Sequence, residues 1–253
     1  MLARYCAGVF CLVSWNVLAD AYIQRRFYPH SPGPVLARGA RTSAIVDLLA
    51  HSAADLACLQ EIEPPLVEGL AARGGWRVEY APKRGKPDGV AMLARGRVTL
   101  SDVTTIAFGD GSGHVAMLAT VHAGELTCRV ATSHLRWDPP GTPYEQRLAV
   151  REASELLAML APTERAIVCG DLNIEPCDPV YAQLLVAGFA DPLADAAAPT
   201  ANPNGRAKRI DHILCGHDLR VTPLPIVPID DTTPLPSDVL PSDHVPIGAI
   251  ISA

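Results

Sequence analysis

Short apolar runs that each meet a polar residue at one end are the feature that most constrains the fold. Six such runs occur along the chain, and their aliphatic and β-branched content is typical of buried strands. A single polar residue at a strand end is most simply a cap or a turn. Six such ends, however, are expected to gather at one edge of a sheet structure and form a common site. The polar residues are Asn16, Glu61, His134, Asp171 with Asn173, Asp211, and Asp243 with His244.

The order of strands and helices favours an α/β sandwich with mixed sheets. Helical patterns occur singly, whereas several strands follow one another directly, so a strictly alternating parallel fold is disfavoured. Helices are predicted over Arg41–Ala50, Pro143–Leu160 and Tyr181–Ala187, and the polar face of the second helix, with Glu152, is expected to be solvated. The predicted strands are Val9–Trp15, Leu56–Gln60, Arg77–Tyr80, Val90–Ala94, Val115–His122, Leu126–His134, Ala166–Gly170, Ile210–Cys215 and His244–Ile251.

Length and composition indicate a single domain over residues 1–253. The chain is 49% hydrophobic and 19% charged, which provides a sizeable core and argues against intrinsic disorder. Its formal net charge of −6 argues against a broad basic surface for nucleic acid. The same charge permits an enzyme that holds a few phosphates through bound cations.

The cysteines and the apolar segments predict a cytoplasmic protein. Seven cysteines are scattered without a CxxC pair, which favours reduced and mostly buried thiols, Cys6 among them, over a disulfide framework. The apolar run Tyr5–Val13 is short and lacks a convincing cleavage site, so a signal peptide is disfavoured. No run approaches the roughly 20 residues that cross a bilayer. No membrane partner is therefore expected, and the sequence indicates no protein partner.

Carboxylates and amides gathered at one edge favour metal-assisted phosphate chemistry. They suit Mg²⁺, a hard cation that prefers oxygen ligands and retains several waters, with Mn²⁺ as a substitute. A serine triad within Ser242-Asp243-His244 is disfavoured, because adjacent residues of an extended segment point in alternate directions. Histidines without a partner in the sequence are expected on the surface or in loops; they are His51, His114, His122 and His217.

Ordered motifs carry a resemblance to a known superfamily. They are Ser14-Trp15-Asn16-Val17-Leu18, Leu59-Gln60-Glu61, Ser133-His134-Leu135, Gly170-Asp171-Leu172-Asn173, Ile210-Asp211 and Ser242-Asp243-His244. In this order, and over essentially the whole chain, they resemble the endonuclease/exonuclease/phosphatase superfamily. Its deadenylase/nocturnin/angel branch is resembled more closely by Tyr28-Pro29-His30-Ser31-Pro32, Asp88-Gly89-Val90-Ala91 and His134-Leu135-Arg136-Trp137-Asp138-Pro139. The resemblance implies a four-layer α/β sandwich with two mixed β-sheets flanked by helices.

The resemblance also implies which residues serve the metal. Glu61 would be a direct Mg²⁺ ligand, and Asn16 would assist in placing the metal or the water. Asp211 would complete the metal or histidine network. Asp243 belongs to the same expected metal set.

The catalytic roles implied by the resemblance concern an attacking water and the phosphoryl oxygens. Asp171 would orient or deprotonate the water, and Asn173 would hold a phosphate oxygen or the nucleophile. His134 and His244 would donate to phosphoryl oxygens as negative charge develops. Asp243 would fix the tautomer and the orientation of His244.

Residues expected at the substrate lie near these motifs and in the long loop Asp20–Gly39. In the branch that this chain resembles, an aromatic residue that stacks on adenine stands five positions before the aspartate of the Ile-Asp motif, where this chain has Arg206. Pro139, which would form the opposite wall of the base pocket, is present. Because an arginine can either stack on a base or select an extra phosphate, poly(A) specificity is not implied. Asn173 completes this set.

Two basic segments leave alternatives open. Arg25 and Arg26, interleaved with aromatic residues, form either a nucleotide-binding rim or part of an anchored loop. Lys83, Arg84 and Lys86 either contact a substrate phosphate or form a solvated turn.

These expectations converge on a Mg²⁺-dependent phosphoesterase that acts on RNA or a nucleotide at a 3′ or 2′ end, as a 3′-exoribonuclease or deadenylase does. An RNA end or a nucleotide is thus the expected partner. One alternative is a phosphatase that removes the 2′-phosphate of a dinucleotide such as NADP(H). A second alternative is a catalytically inactive nucleotide-binding module of the same fold, against which the intact polar set argues.

Overall fold

Two β-sheets of six strands each form the centre of the computed structural model, which describes residues 8–73, 75–160, 165–196 and 198–253. Cys6 and the beginning of the run Tyr5–Val13 lie outside these ranges. The strands are β1 (Val9–Asn16), β2 (Leu56–Ile62), β3 (Arg77–Pro82), β4 (Gly89–Ala94), β5 (Val98–Ala107), β6 (Val115–Ala123), β7 (Leu126–His134), β8 (Ala166–Asp171), β9 (Phe189–Ala190), β10 (Asp211–Gly216), β11 (Arg220–Pro223) and β12 (Ile247–Ser252).

Each sheet combines one parallel pair of strands with antiparallel neighbours. The first sheet has the order β11-β12-β1-β2-β4-β3, and β1 is parallel to β2. The second has the order β5-β6-β7-β8-β10-β9, and β7 is parallel to β8. An apolar layer between the sheets, which includes Leu12, Met92, Val130 and Ile167, holds them face to face. The carboxyl ends of the two parallel pairs therefore share one edge of the sandwich.

Helices cover the outer face of each sheet, and within the described ranges they are α1 (Thr42–His51), α2 (Pro64–Arg73), α3 (Leu148–Leu160) and α4 (Pro179–Val186). On the first sheet, Ile45 of α1 and Leu70 of α2 pack in one cluster with Trp15. On the second, Leu156 of α3 and Leu184 of α4 pack over the strands. The predicted four-layer α/β sandwich with two mixed sheets is confirmed.

The predicted strands are found, but the last begins later than the sequence indicates. His244 makes an isolated bridge with Ala201, and the regular strand starts only at Ile247. Pro246 precedes it and lacks the N–H that a sheet ladder needs. Three further strands, β5, β9 and β11, are not predicted; β5 is largely exposed and carries little apolar alternation.

The helix predicted over Pro143–Leu160 begins at Leu148. The Asp138 carboxylate accepts the N–H groups of Leu148 and Ala149, each at 3.0 Å, and so caps the helix there. Glu152 is fully buried rather than solvated, because its carboxylate accepts the Arg136 N–H at 2.6 Å and the Ser112 hydroxyl at 3.1 Å. Helix α2 is not predicted.

None of the helices in the described ranges is long and apolar enough to cross a membrane. Among the six cysteines in the same ranges no disulfide forms; five are buried, and Cys177 is exposed. This agrees with reduced, mostly buried thiols, while the cytoplasmic location stays a prediction.

Candidate active site

Strand registers bring the predicted polar residues to one edge of the sandwich. His134 is paired with Asp171 on the neighbouring strand β8, and Asp171 is paired with Asp211 on β10. Asn16 ends β1, opposite Gln60 of β2. Glu61 follows at an irregularity in the β2–β4 pairing and has a positive φ of 54°. Since bulges redirect side chains, this irregularity turns the Glu61 carboxylate toward Asn16.

Asp171 lies at the centre of the site and is almost fully buried. Its Oδ2 accepts a hydrogen bond from Asn16 Nδ2 at 2.9 Å. The same oxygen lies 3.5 Å from Nε2 of His134 and 3.6 Å from Nε2 of His244. Burial raises the pKa of Asp171 to about 7; the charge of His244 opposes this rise and that of Asp211 adds to it. Asp171 is therefore a carboxylate whose proton affinity suits general-base chemistry near neutral pH.

Asn16 joins the two central carboxylates. Its Nδ2 donates to Glu61 Oε1 at 3.1 Å as well as to Asp171, and its amide oxygen accepts the Leu18 N–H at 2.9 Å. The second Glu61 oxygen accepts the Ala19 N–H at 3.1 Å. Burial raises the pKa of Glu61. Asn16 thus fixes the spacing of the carboxylates, and its expected part in placing a metal stays a prediction.

His244 is held by Asp211, which corrects the expectation that Asp243 orients it. Nδ1 of His244 lies 2.9 Å from Asp211 Oδ2, and this oxygen also accepts the Thr200 hydroxyl at 2.6 Å. Asp243 Oδ1 is 4.0 Å from Nε2 of His244. Burial opposes the charged form of His244, but the carboxylates of Asp211 and Asp171 raise its pKa well above the usual value. The imidazolium is therefore the favoured form.

His134 lies between Asp171 and a buried lysine. Nδ1 of His134 is 3.1 Å from Lys83 Nζ, and Lys83 pairs with Asp88 at 2.6 Å. Burial, and then the positive charge of Lys83, lower the pKa of His134 well below its usual value. His134 is therefore neutral where His244 is charged.

Two basic residues near the site are buried, which the sequence does not predict. His114, expected on the surface or in a loop, lies in the loop between β5 and β6 but is buried, and its Nδ1 lies 2.8 Å from the carbonyl oxygen of His134. Lys83 is buried, whereas Arg84 is exposed as a solvated turn predicts. The aspartate five positions after Lys83 is a signal of a local ion pair. His114 had no comparable signal, because its partner is a main-chain group.

Asn173 connects this centre to an open cleft. It has a positive φ of 53°, which asparagine tolerates better than most residues. Its N–H donates to Asp171 Oδ1 at 3.0 Å, and its Nδ2 donates to the Leu135 carbonyl at 3.0 Å. The side chain lines a cleft of about 990 Å³.

The cleft contains three of the predicted substrate residues, Asn173, Pro139 and Arg206. Lys208 and Trp137 also line it, and Trp137 is 52% exposed. Neither Arg206 nor Lys208 forms an ion pair within the part of the chain that the structure describes. The cleft thus offers an aromatic surface and two uncompensated cations beside the catalytic edge.

Arg25 and Arg26 do not line this cleft. Arg25 donates to the Ser31 carbonyl at 3.1 Å, and the Arg26 guanidinium lies 4.8 Å above the Phe27 ring. Phe27 is the residue of this segment that lines the cleft. The arrangement favours an anchored loop that contributes an aromatic wall, and a substrate role for the two arginines stays a prediction.

Carboxylate oxygens of the site fit a hard divalent cation. Oδ1 of Asp211 and Oδ1 of Asp243 are buried and have no hydrogen-bond partner among the described residues. Such an oxygen is costly to bury unless a cation or a water satisfies it. The residue groups whose ligand atoms lie within 4.8 Å of one another are Glu61 with His134 and Asp171, and Asp171 with Asp211 and His244. This oxygen-rich set matches the preference of Mg²⁺ or Mn²⁺.

The sandwich and its carboxylate–histidine edge define a hydrolase that acts on phosphoester bonds. Residues 13–244 match the Endonuclease/Exonuclease/phosphatase family, and this span contains every predicted site residue. The chain belongs to this family, as its sequence predicts.

Similar proteins fall in the predicted branch of the family. Carbon catabolite repressor protein 4 homolog 4 of Arabidopsis thaliana is 25% identical over 95% of this chain and 76% of its own length. Protein angel homolog 2 of Mus musculus is 28% identical over 68% of this chain, and the match spans only 36% of that protein.

Two solved structures share the fold. ANGEL2, described as a 2′,3′-cyclic phosphatase, in complex with adenosine-2′,3′-vanadate, has a TM-score of 0.78 and 20% identity, covering 97% of this chain and 96% of that one. The human nocturnin catalytic domain with a bound sulfate anion has a TM-score of 0.74 and 22% identity, covering 99% and 98%. The predicted resemblance to the deadenylase/nocturnin/angel branch is confirmed.

Proposed function

We propose that this chain is a Mg²⁺-dependent phosphoesterase that hydrolyses a phosphodiester or phosphomonoester at a 3′ or 2′ end of RNA or of a nucleotide. The observation that carries the proposal is Asp171, buried between two imidazoles and an amide beside an open cleft. Because the site draws on residues from Asn16 to His244, we also propose that residues 1–253 act as one catalytic domain. The adenosine-2′,3′-vanadate of the similar ANGEL2 structure supports chemistry at a nucleotide end.

The metal would be held by Glu61 and by the oxygens of Asp211 and Asp243 that lack a protein partner. When bound, Mg²⁺ supplies charge neutralisation at the phosphoryl group and lowers the pKa of water. Asn16 keeps Glu61 and Asp171 at a fixed spacing, so that the metal-binding and the water-orienting carboxylates act on the same phosphorus.

Proton handling is divided between Asp171 and the two histidines. Asp171 accepts a proton from, or orients, the attacking water. The imidazolium of His244, held by Asp211, donates from Nε2 to a phosphoryl oxygen as negative charge grows. Neutral His134 donates from its own Nε2, and Asn173 holds a phosphate oxygen at the mouth of the cleft. Phosphoryl transfer needs this positioning and charge stabilisation more than covalent help.

The cleft supports recognition of a terminal nucleotide that carries an additional phosphate. The exposed indole of Trp137 provides a surface on which a base can stack, and Pro139 lines the same cleft. Arg206 and Lys208 are positioned to bind phosphate oxygens. Because a cleft of about 990 Å³ with two cations also suits a dinucleotide, NADP(H) is the second candidate substrate.

A substrate panel tests the proposal. Purified protein is incubated in Mg²⁺, in Mn²⁺ and in excess chelator with oligo(A), mixed RNA, 2′-5′ oligoadenylate, RNA ending in a 3′-phosphate or a 2′,3′-cyclic phosphate, single-stranded DNA and NADP(H). We expect metal-dependent release of a terminal nucleotide or phosphate from at least one RNA or nucleotide substrate.

The matched variants are Asp171→Asn and, as control, Asp195→Asn, since Asp195 is exposed and does not line the cleft. Loss of a positioned base typically costs about 10²–10⁴-fold in rate, so Asp171→Asn is expected to lower kcat by that factor with substrate affinity within a few-fold. Nucleotide binding without turnover of any substrate would overturn the proposal in favour of the inactive binding module.

A further inference from the structure

A chain of polar groups, three of them buried, reaches Nδ1 of His134, which also lies 3.8 Å from Glu61 Oε1. Lys83 Nζ lies 3.1 Å from His134 Nδ1 and 2.6 Å from Asp88 Oδ2. Lys83 and Asp88 are 1% and 0% exposed. The other Asp88 oxygen accepts the Tyr22 hydroxyl at 2.6 Å. The order of contacts is therefore Tyr22, Asp88, Lys83 and His134.

We propose that Lys83 is a positioning residue that fixes the tautomer of His134 with its proton on Nε2. An ammonium group has three donors and no acceptor. The contact of Lys83 with Nδ1 therefore requires that nitrogen to accept, while Lys83 also donates to the Asp88 carboxylate. The imidazole proton must then sit on Nε2, which lies on the Asp171 side at 3.5 Å from its Oδ2. This inference rests on the proposed phosphoesterase function only for its catalytic consequence.

The consequence is that His134 presents a neutral N–H donor, and not a lone pair, to the reaction centre. Nδ1 is occupied by a cationic group and Nε2 carries the proton, so neither nitrogen is free to bind a metal. Although His134 stands near Glu61 and Asp171 in a group with suitable spacing, Lys83 excludes it from the ligand set. The His134 ring also packs against the His114 ring, with 5.5 Å between the ring centroids.

Tyr22 ties this chain of contacts to the substrate loop. It belongs to the short 3₁₀ helix Asp20–Tyr22, at the start of the loop whose Phe27 lines the cleft. Asp88 directly precedes β4 in the core of the first sheet. Asp88, the partner of Lys83, is thus held next to β4 and is also bound by Tyr22 of the loop.

The test measures the tautomer and the rate separately. The ¹⁵N shifts of the His134 ring nitrogens distinguish the two tautomers in a two-bond ¹H–¹⁵N correlation spectrum, and comparison with His134→Gln assigns them. In the unmodified protein, with and without Mg²⁺, we expect Nε2 protonated and Nδ1 unprotonated. In Lys83→Met, the tautomer protonated on Nδ1 should become populated.

Kinetics of the same variants test the catalytic consequence. Because loss of an outer positioning partner typically costs about 10- to 100-fold, Lys83→Met is expected to lower kcat by that factor and to change KM by less than about threefold. The single variant leaves Asp88 buried and unpaired and can therefore fail to fold. In that case the double variant Lys83→Met/Asp88→Asn, which removes both charges, replaces it. Arg220→Met, at an exposed basic position on β11, is the control.

Two results would overturn the inference. One is protonation of His134 on Nδ1 in the unmodified protein. The other is a folded Lys83 variant with unchanged tautomer and kcat. If the unmodified protein turned over no phosphoester, the proposed function would fail, but the NMR result would still decide whether Lys83 sets the tautomer.

Discussion

The individual carboxylates at this site differ in the hydrogen bonds that their oxygens already accept, and that difference separates their roles. Both oxygens of Glu61 accept a single hydrogen bond, from Asn16 and from Ala19, which leaves lone pairs for a cation. Asp211 already accepts His244 and Thr200 through Oδ2, so that only its Oδ1 is left for a cation. Glu61 is therefore the residue whose loss should act most directly on the metal.

Glu61→Gln should lower kcat by about 100-fold or more, because charge stabilisation by a bound metal is worth several kcal/mol. The substitution keeps the shape of the side chain and removes its charge. A titration of rate against Mg²⁺ and Mn²⁺ should give a weaker apparent metal affinity, with partial recovery at high Mn²⁺. Glu63→Gln is the control, because Glu63, like Glu61, accepts a main-chain N–H, here that of Asp20 at 2.8 Å. Full activity of Glu61→Gln in excess chelator would contradict the assignment.

Arg206→Ala should weaken the binding of substrates that carry an additional terminal phosphate by about tenfold or more. The reason is that hydrogen bonds between charged groups contribute about 1.5–3 kcal/mol. The unmodified enzyme should show little preference for adenine, and Arg206→Phe should shift it toward poly(A). KM values for RNA ends with and without the extra phosphate check this. Arg151→Ala, exposed on α3, is the control. Strong poly(A) selectivity that survives Arg206→Ala would refute the role.

Residue types at the site are predictable from sequence, but some of their partners are not. Polar residues directly after apolar runs locate the edge, because strand ends in one sheet meet. The orientation of His244 by Asp211 depends on the position of β10 relative to the last segment, which local sequence does not encode. Asp243 is the nearer carboxylate in sequence, yet it lies 4.0 Å from the far ring nitrogen.

Among the elements, α3 combines a surface-like sequence with a buried acid. Burial raises the pKa of Glu152 to about 8, and the nearby Asp110 carboxylate adds to this rise. The folded protein therefore holds a proton on Glu152 at pH values where the unfolded chain, with a carboxyl pKa near 4.5, has lost it. By linkage, the contribution of Glu152 to the free energy of unfolding is present below about pH 4.5 and is lost as the pH rises through about 8.

Glu152→Gln should reduce the pH dependence of stability in this window. The amide keeps an oxygen for the Arg136 N–H and has no proton to lose. Urea unfolding of both proteins at several pH values from 5 to 8.5 measures the free energy of unfolding. We expect it to fall more steeply with pH in the unmodified protein than in the variant. Parallel curves would show that Glu152 is not protonated in the fold.

Two elements show why the secondary structure of this chain can be predicted only in part from its sequence. Helix α2 begins with two prolines, which suit the first turn of a helix but suggest a loop when read locally, and only Leu66 and Leu70 are buried in it. Strand β5 is largely exposed, so it lacks the alternation that marks a strand, and it forms because β6 provides a partner. Both elements depend on tertiary contacts more than on their own pattern.

For the whole molecule, charge and site geometry together limit the length of RNA that the protein binds. The net charge is −6, and the cations that line the cleft without an ion pair are Arg206 and Lys208 within the described residues. The remaining residues of the catalytic edge are mainly carboxylates and amides. A long RNA would thus meet few compensating charges beyond its terminal nucleotides.

Recognition should therefore be confined to one to three terminal nucleotides. KM for RNA substrates should fall as length increases to about three nucleotides and then stay constant, because among the described residues no further unpaired cation lines the cleft. Each neutralised phosphate of a single strand contributes about −0.7 to the slope of log affinity against log salt, so this slope should be no steeper than about −2 at fixed free Mg²⁺. Measuring KM over a length series at several KCl concentrations tests both statements. A KM that continued to fall with length, together with a steep salt slope, would indicate an extended basic track and contradict this prediction.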